Sequence, residues 1–83
     1  MNILEKYKRR IAVCFHACRD AISAFLGDDF TSLLQVCNDD MRAILDEARR
    51  DEDFSLVGYI ELCLYCEVCA DFLAFFAGVK SCQ

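Results

Sequence analysis

The segment from Leu56 to Phe76 is the feature that most limits the folds open to this chain. Its 21 residues, LVGYIELCLYCEVCADFLAFF, are almost all apolar, and its only charged residues are Glu61, Glu67 and Asp71. A segment of this length and composition either crosses a bilayer or is covered by protein. Because each carboxylate is costly at bilayer depth, we reject a membrane span and predict a helix that protein covers.

Two amphipathic helices are predicted before this segment. The chain contains no proline, so no helix is forced to break. Apolar residues recur every three or four positions along each segment. The predicted helices are Ile3–Leu26, Asp29–Arg50 and Phe54–Ala77. Gly27 and Gly78 follow helices as C-caps, the pair DD precedes the second helix, and Asp51 or Asp53 is the predicted N-cap of the third.

Short turns between three helices predict an all-α fold, a three-helix up-down-up antiparallel bundle. The chain has 83 residues, so we expect one domain spanning residues 1–83. Hydrophobic residues make up 57% of it, against roughly 45–50% in an average protein. A small monomer does not easily hide that much apolar surface. We therefore predict a homodimer through the third helix, or a protein partner that covers it.

The charge distribution argues against nucleic acid as a partner. The net charge is −5. Residues 1–19 hold five basic side chains against one acidic one, whereas residues 20–83 hold four against thirteen. An acidic body does not neutralise phosphates. No signal peptide is visible, which predicts a cytoplasmic protein whose cysteines are thiols rather than disulfides.

The cysteines give two competing interpretations. Six of the seven lie on predicted apolar faces: Cys14, Cys18, Cys37, Cys63, Cys66 and Cys69. With turns near 27–28 and 51–52, Cys18, Cys37 and Cys66 share one layer, and Cys14, Met41 and Cys63 share the next. Buried cysteine usually acts as a small hydrophobe, and we favour that interpretation, with no cofactor.

Soft sulfur ligands at one level of a bundle would instead suit copper, as Cu(I), or zinc. The segments CFHAC and ELCLYCEVCADF are similar to stretches of the cysteine-rich four-helix-bundle copper-storage proteins, which usually carry more cysteines and a fourth helix. This resemblance implies, as the alternative function, a cytosolic soft-metal protein that uses the six cysteines.

The sequence offers no set of catalytic residues that we can place. It has one histidine, His16, and no glycine-rich phosphate loop. We predict a non-enzymatic protein-binding module, such as an adaptor, an inhibitor or a dedicated chaperone. An acidic pair and flanking aromatics on the third helix are the expected contacts. The predicted partner-binding residues are Tyr59, Tyr65, Glu67, Asp71, Phe72, Phe75 and Phe76.

Overall fold

The computed structural model describes residues 2–25 and 30–81, which form three helices that all pack against one another. These are α1 (Ile3–Ala24), α2 (Phe30–Arg50) and α3 (Leu56–Ser81). No strand occurs within these two ranges. The predicted all-α three-helix bundle is confirmed. The caps predicted at Gly27 and at the pair DD lie outside the described residues.

Contacts between helices establish their directions. Arg10 forms an ion pair with Glu47, and the Cys18 thiol hydrogen bonds with Cys37, so α1 and α2 run antiparallel. The ammonium group of Lys8 lies 3.5 Å from the Glu61 carboxylate. Further along, the ring centroids of Phe15 and Phe72 are 6.5 Å apart. The residue numbers on α1 and α3 increase together from the first contact to the second, so these two helices are parallel. The up-down-up arrangement is confirmed.

The ends of α1 depend on local hydrogen bonds. The Asn2 side-chain oxygen accepts a 2.8 Å hydrogen bond from the Glu5 amide, which caps the first turn. The helix ends at Ala24, two residues before the predicted end. Phe25 has an extended backbone (φ −72°, ψ 128°), and its ring lies 5.2 Å from that of Phe30. The two aromatic rings therefore pack across the first connection.

The helix α3 begins two residues after its predicted start at Phe54. Neither of its predicted caps, Asp51 or Asp53, is the N-cap. Ser55 is the N-cap: its hydroxyl accepts from the Gly58 amide at 3.0 Å, and its carbonyl accepts from the Tyr59 amide at 2.9 Å. Asp51 instead stabilises the turn. Its carbonyl accepts from the Phe54 amide at 3.1 Å, while its carboxylate accepts from the Tyr7 hydroxyl at 3.1 Å. The second connection is consequently longer than predicted.

The predicted end of α3 was also wrong. The helix continues through Gly78 to Ser81, four residues past Ala77. Gly78 has no positive φ, so it does not adopt the left-handed conformation that ends helices at glycine. The point at which the apolar periodicity stops is therefore not the end of the helix, because no residue there forces the backbone out of the helical conformation.

The core runs along the bundle axis and draws on all three helices. Ile11, Ile22, Met41, Leu62 and Leu73 are the largest fully buried side chains. Four cysteines of the core lie among them, and no charged side chain is buried in the described residues. Since the bundle measures 44 × 19 × 15 Å, this core is long and thin. Much of α3 therefore remains at the surface.

Candidate functional site

α3 has two apolar faces, and only one of them lies inside the bundle. The buried face contains Leu62, Cys66, Cys69, Leu73 and Ala77. The other face is exposed and contributes eight of the ten large hydrophobic side chains exposed in the described residues. We call these eight residues the outer face of α3: Leu56, Val57, Ile60, Leu64, Val68, Phe72, Phe75 and Val79.

The outer face is a continuous stripe. From Val57 to Val79 its members follow one another at steps of three or four, so the stripe extends about 33 Å at 1.5 Å per residue. Phe75 is 71% exposed, and Phe72 is 63% exposed. Soluble monomers rarely leave an apolar patch of this length uncovered, and such patches mark interaction sites.

The structure divides the predicted partner-binding residues between the two faces. Glu67, Asp71, Phe72 and Phe75 are exposed on the outer side of α3. The remaining three are half-buried and pack against the core: Tyr59, Tyr65 and Phe76.

The half-buried tyrosines are tied to neighbouring side chains. A hydrogen bond with Cys63, together with burial, raises the pKa of Tyr59. Burial, and then the nearby Cys69, raises the pKa of Tyr65, and the Lys8 ammonium lies 5.5 Å from its ring centroid. These tyrosines therefore belong to the packing between helices and are partly buried there.

Sequence reasoning missed the aliphatic members of the outer face. Val57, Ile60, Leu64 and Val68 are all more than half exposed. Their spacing of three or four residues was readable in the sequence and differs in phase from the buried set. The prediction relied on aromatic residues rather than on periodicity, and two of them, Tyr59 and Tyr65, pack against the core.

The charged groups on the outer side of α3 are all acidic among the described side chains. Glu61 lies toward α1, where Lys8 is its ion-pair partner. Glu67 and Asp71 lie along the opposite edge, and neither forms an ion pair with a described residue. Because they are four positions apart on one helix, the two carboxylates repel each other slightly. No ion pair among the described residues compensates this repulsion.

A groove beside the outer face extends the apolar surface toward α1. It encloses about 470 Å³ and is lined by Phe15, Arg19, Phe72, Leu73 and Phe76. Phe72 belongs to both the groove and the outer face. A partner lying along α3 therefore meets further apolar surface on its α1 side, bordered by Arg19.

The six described cysteines are free thiols in and around the core. Cys18 hydrogen bonds with both Cys37 and Cys14, as expected for neighbours on α1 and α2. Cys66, however, interacts with Cys14 rather than standing level with Cys18, and Cys69 also interacts with Cys14. The predicted layers therefore match between α1 and α2 but are displaced on α3.

The displacement follows from the second connection. In an antiparallel pair, moving the turn centre by one residue moves the facing positions by two. The connection runs from Asp51 to Ser55, so its centre lies at Asp53 rather than near 51–52. The facing positions on α3 are therefore shifted by about three residues, close to one turn, relative to the prediction. The late N-cap at Ser55 is thus the physical reason for the wrong layers.

The buried thiols favour their protonated form. Burial is the main cause that raises the pKa of Cys14, Cys18, Cys66 and Cys69 above the ordinary thiol value. Among residues 2–25 and 30–81, no three His, Cys, Asp or Glu side chains come together in a way that could hold a metal ion. A metal that bound here would have to displace thiol protons and move ligands. The soft-metal alternative stays a prediction.

By length and composition, Leu56–Val79 could cross a membrane, and 28% of its most apolar window is buried in the bundle. The core helix of a soluble protein satisfies the same criterion. Our rejection of a span stays a prediction that depends on Glu61, Glu67 and Asp71.

No protein-family model matches the chain, and no significant similarity to a curated protein or to a solved structure was found. Fold and surface therefore define the class: a three-helix bundle whose third helix carries an exposed apolar face.

Proposed function

We propose that this protein is a small, acidic, non-enzymatic binding module that acts through the outer face of α3. The observation that carries the proposal is the exposed stripe from Val57 to Val79. Its side chains gain little from the bundle itself, whereas a partner that covered them would gain about 25 cal/mol for each Å² of apolar surface removed from water. An adaptor, an inhibitor or a dedicated chaperone would use such a surface.

The homodimer predicted from composition would use the same face. A second copy and a different protein are therefore alternative occupants of one surface. The predicted absence of catalysis and the predicted cytoplasmic location are part of this proposal and remain predictions.

A matched pair of substitutions tests the proposal. Val68 on α3 is 55% exposed, and Val36 on α2 is 56% exposed. Val68→Asp should abolish capture of the partner from cells that express the tagged protein, whereas Val36→Asp should leave capture unchanged. Thermal unfolding of both variants checks that each is folded. If Val68→Asp captures every protein that the wild type captures, the outer face is not the binding surface.

The alternative function, soft-metal binding by the six cysteines, has a direct test. Native mass spectrometry on protein purified anaerobically with a reductant reads bound metal and subunit count together. Several copper or zinc ions per chain, lost in a Cys18→Ala/Cys37→Ala variant, would replace the binding-module proposal. A metal-free spectrum would leave the cysteines as core residues.

A further inference from the structure

The charge pattern on the outer face of α3 identifies the kind of partner that fits it. This inference depends on the proposed function, because it assumes that the outer face binds protein. Among the described side chains on this face, the charges are carboxylates alone, and Lys8 pairs with only Glu61. Glu67 and Asp71 are left along one edge of the stripe, about 6 Å apart along the helix axis at 1.5 Å per residue.

A second copy of the chain fits the apolar stripe but not these charges. The stripe is nearly symmetric about Val68, with Leu64 and Phe72 four positions to either side, so an antiparallel pair could match its side chains. The two-fold axis of such a pair places each edge of the stripe on the same side of the interface as the equivalent edge of the other copy. The two copies of Glu67 would then lie about 3 Å apart along the axis, since they are offset by two residues.

The copies of Asp71 would lie about 9 Å apart by the same geometry. Four carboxylates would thus gather along one edge of the interface. In a parallel pair the edge with Glu67 and Asp71 would face the opposite edge of the partner's stripe, whose described charged side chain on α3, Glu61, is also acidic. Like charges that face each other across an interface oppose association.

A basic amphipathic helix would complement both the apolar stripe and the carboxylates of this surface. Helical partners bind apolar surfaces through residues spaced at i, i+3 or i+4, and i+7. Lysine or arginine beside such a stripe would pair with Glu67 and Asp71, and the apolar residues would cover Leu64, Val68 and Phe72. We propose that the outer face of α3 binds an amphipathic helix that is basic along the edge facing Glu67 and Asp71.

Two synthetic peptides test the charge requirement. Each is an 18-residue helix with the same leucine stripe, flanked by lysine in one peptide and by glutamate in the other. Fluorescence anisotropy with the full chain in reducing buffer measures both affinities. At low salt the lysine peptide should bind at least about tenfold more tightly. The ratio should fall when added salt shortens the Debye length below about 10 Å.

Matched variants separate local charge from net charge. Glu67→Gln/Asp71→Asn should remove most of the preference for the lysine peptide. Asp46→Asn/Glu52→Gln changes the net charge equally, but its residues lie exposed on α2 and in the second connection, so the preference should persist. Glu67→Lys/Asp71→Lys should reverse the preference toward the glutamate peptide.

The outcomes distinguish this inference from the proposed function. Equal binding of both peptides, lost in Val68→Asp, would overturn the charge requirement and leave the binding face intact. Equal loss in the two neutralised variants would overturn it too, since the attraction would then come from net charge. If neither peptide binds, sedimentation of the protein alone and with phosphatidylcholine vesicles identifies what covers the outer face. A dimer would make a second copy the occupant, and a monomer that sediments with the vesicles would make lipid the occupant. A monomer that binds neither the peptides nor the vesicles would overturn the proposed function as well.

Discussion

The orientation of α3 predicts that two leucines, two positions apart, differ sharply in their contribution to stability. Leu62 is fully buried, and Leu64 is 58% exposed. Leu62→Ala removes three buried carbon groups, which is about 2.4 kcal/mol at about 0.8 kcal/mol each. The remaining cavity raises the expected loss to about 3–4 kcal/mol. Leu64→Ala loses only the buried part of the same transfer free energy, which is below about 1 kcal/mol.

Urea unfolding followed by circular dichroism measures both losses. A chain of 83 residues is expected to have an unfolding free energy of about 4–12 kcal/mol, so Leu62→Ala should consume a large part of it. Its Tm should fall by more than 10 °C, because about 4–8 °C is lost per kcal/mol in domains of this size. Comparable losses for the two variants would refute the reasoning. They would show that Leu64 is covered, either by a second copy or by a rotated helix.

Three further tests address the glycines, the Tyr7 hydroxyl and the buried thiols. Gly58→Ala should destabilise the bundle because the new Cβ would lie 2.9 Å from the Phe54 ring. The Cβ of Gly78→Ala meets no atom within 4 Å, so the higher helix propensity of alanine should stabilise the bundle by up to about 1 kcal/mol and raise its Tm. Thermal unfolding of both variants checks the contrast. Tyr7→Phe should cost about 0.5–1.5 kcal/mol in urea unfolding, because it leaves the Asp51 carboxylate without the 3.1 Å hydrogen bond. Burial raises the pKa of Cys18 in the folded state. The contribution of the protonated Cys18 thiol to the free energy of unfolding is therefore complete below the pKa of the unfolded thiol, and it is lost as the pH rises above that value. Unfolding measured under reductant between pH 7 and pH 10 should therefore show stability falling above about pH 8.5, by at most about 1.4 kcal/mol per pH unit for each thiol and by less where water reaches it, and Cys18→Ala should flatten the slope.

Helix number, type and order were predictable from this sequence because the periodicity of three and four is strong and no proline interrupts it. The boundaries were less predictable for identifiable reasons. Three residues of types that cap helices lie within five positions, and local propensity does not rank them: Asp51, Asp53 and Ser55. Only the two aspartates were predicted as caps. The contact between Asp51 and Tyr7 connects residues 44 positions apart, so it is decided by packing. The position of the N-cap then sets the register of α3 against α1 and α2.

The candidate site was predictable only in part. Apolar composition pointed to α3, and this helix carries most of the exposed large hydrophobic side chains of the described residues. Which side stays uncovered depends on the rotation of the helix about its axis, and both sides of α3 are apolar. Its buried side combines two leucines, Leu62 and Leu73, with the smaller Cys66, Cys69 and Ala77. Leucine also occurs on the outer side, so neither hydropathy nor side-chain size separates the two sides.

The positions of Glu67 and Asp71 bear on what covers α3. If these carboxylates lay on the buried face, they would be explained by partners within the bundle. They lie instead on the exposed side, so whatever covers the stripe must meet them. Lipid chains offer no cation at that depth, which makes each carboxylate costly in a bilayer. A basic protein helix supplies the cation and the apolar contact together, and for this reason the two acidic residues favour a protein as the occupant of the outer face.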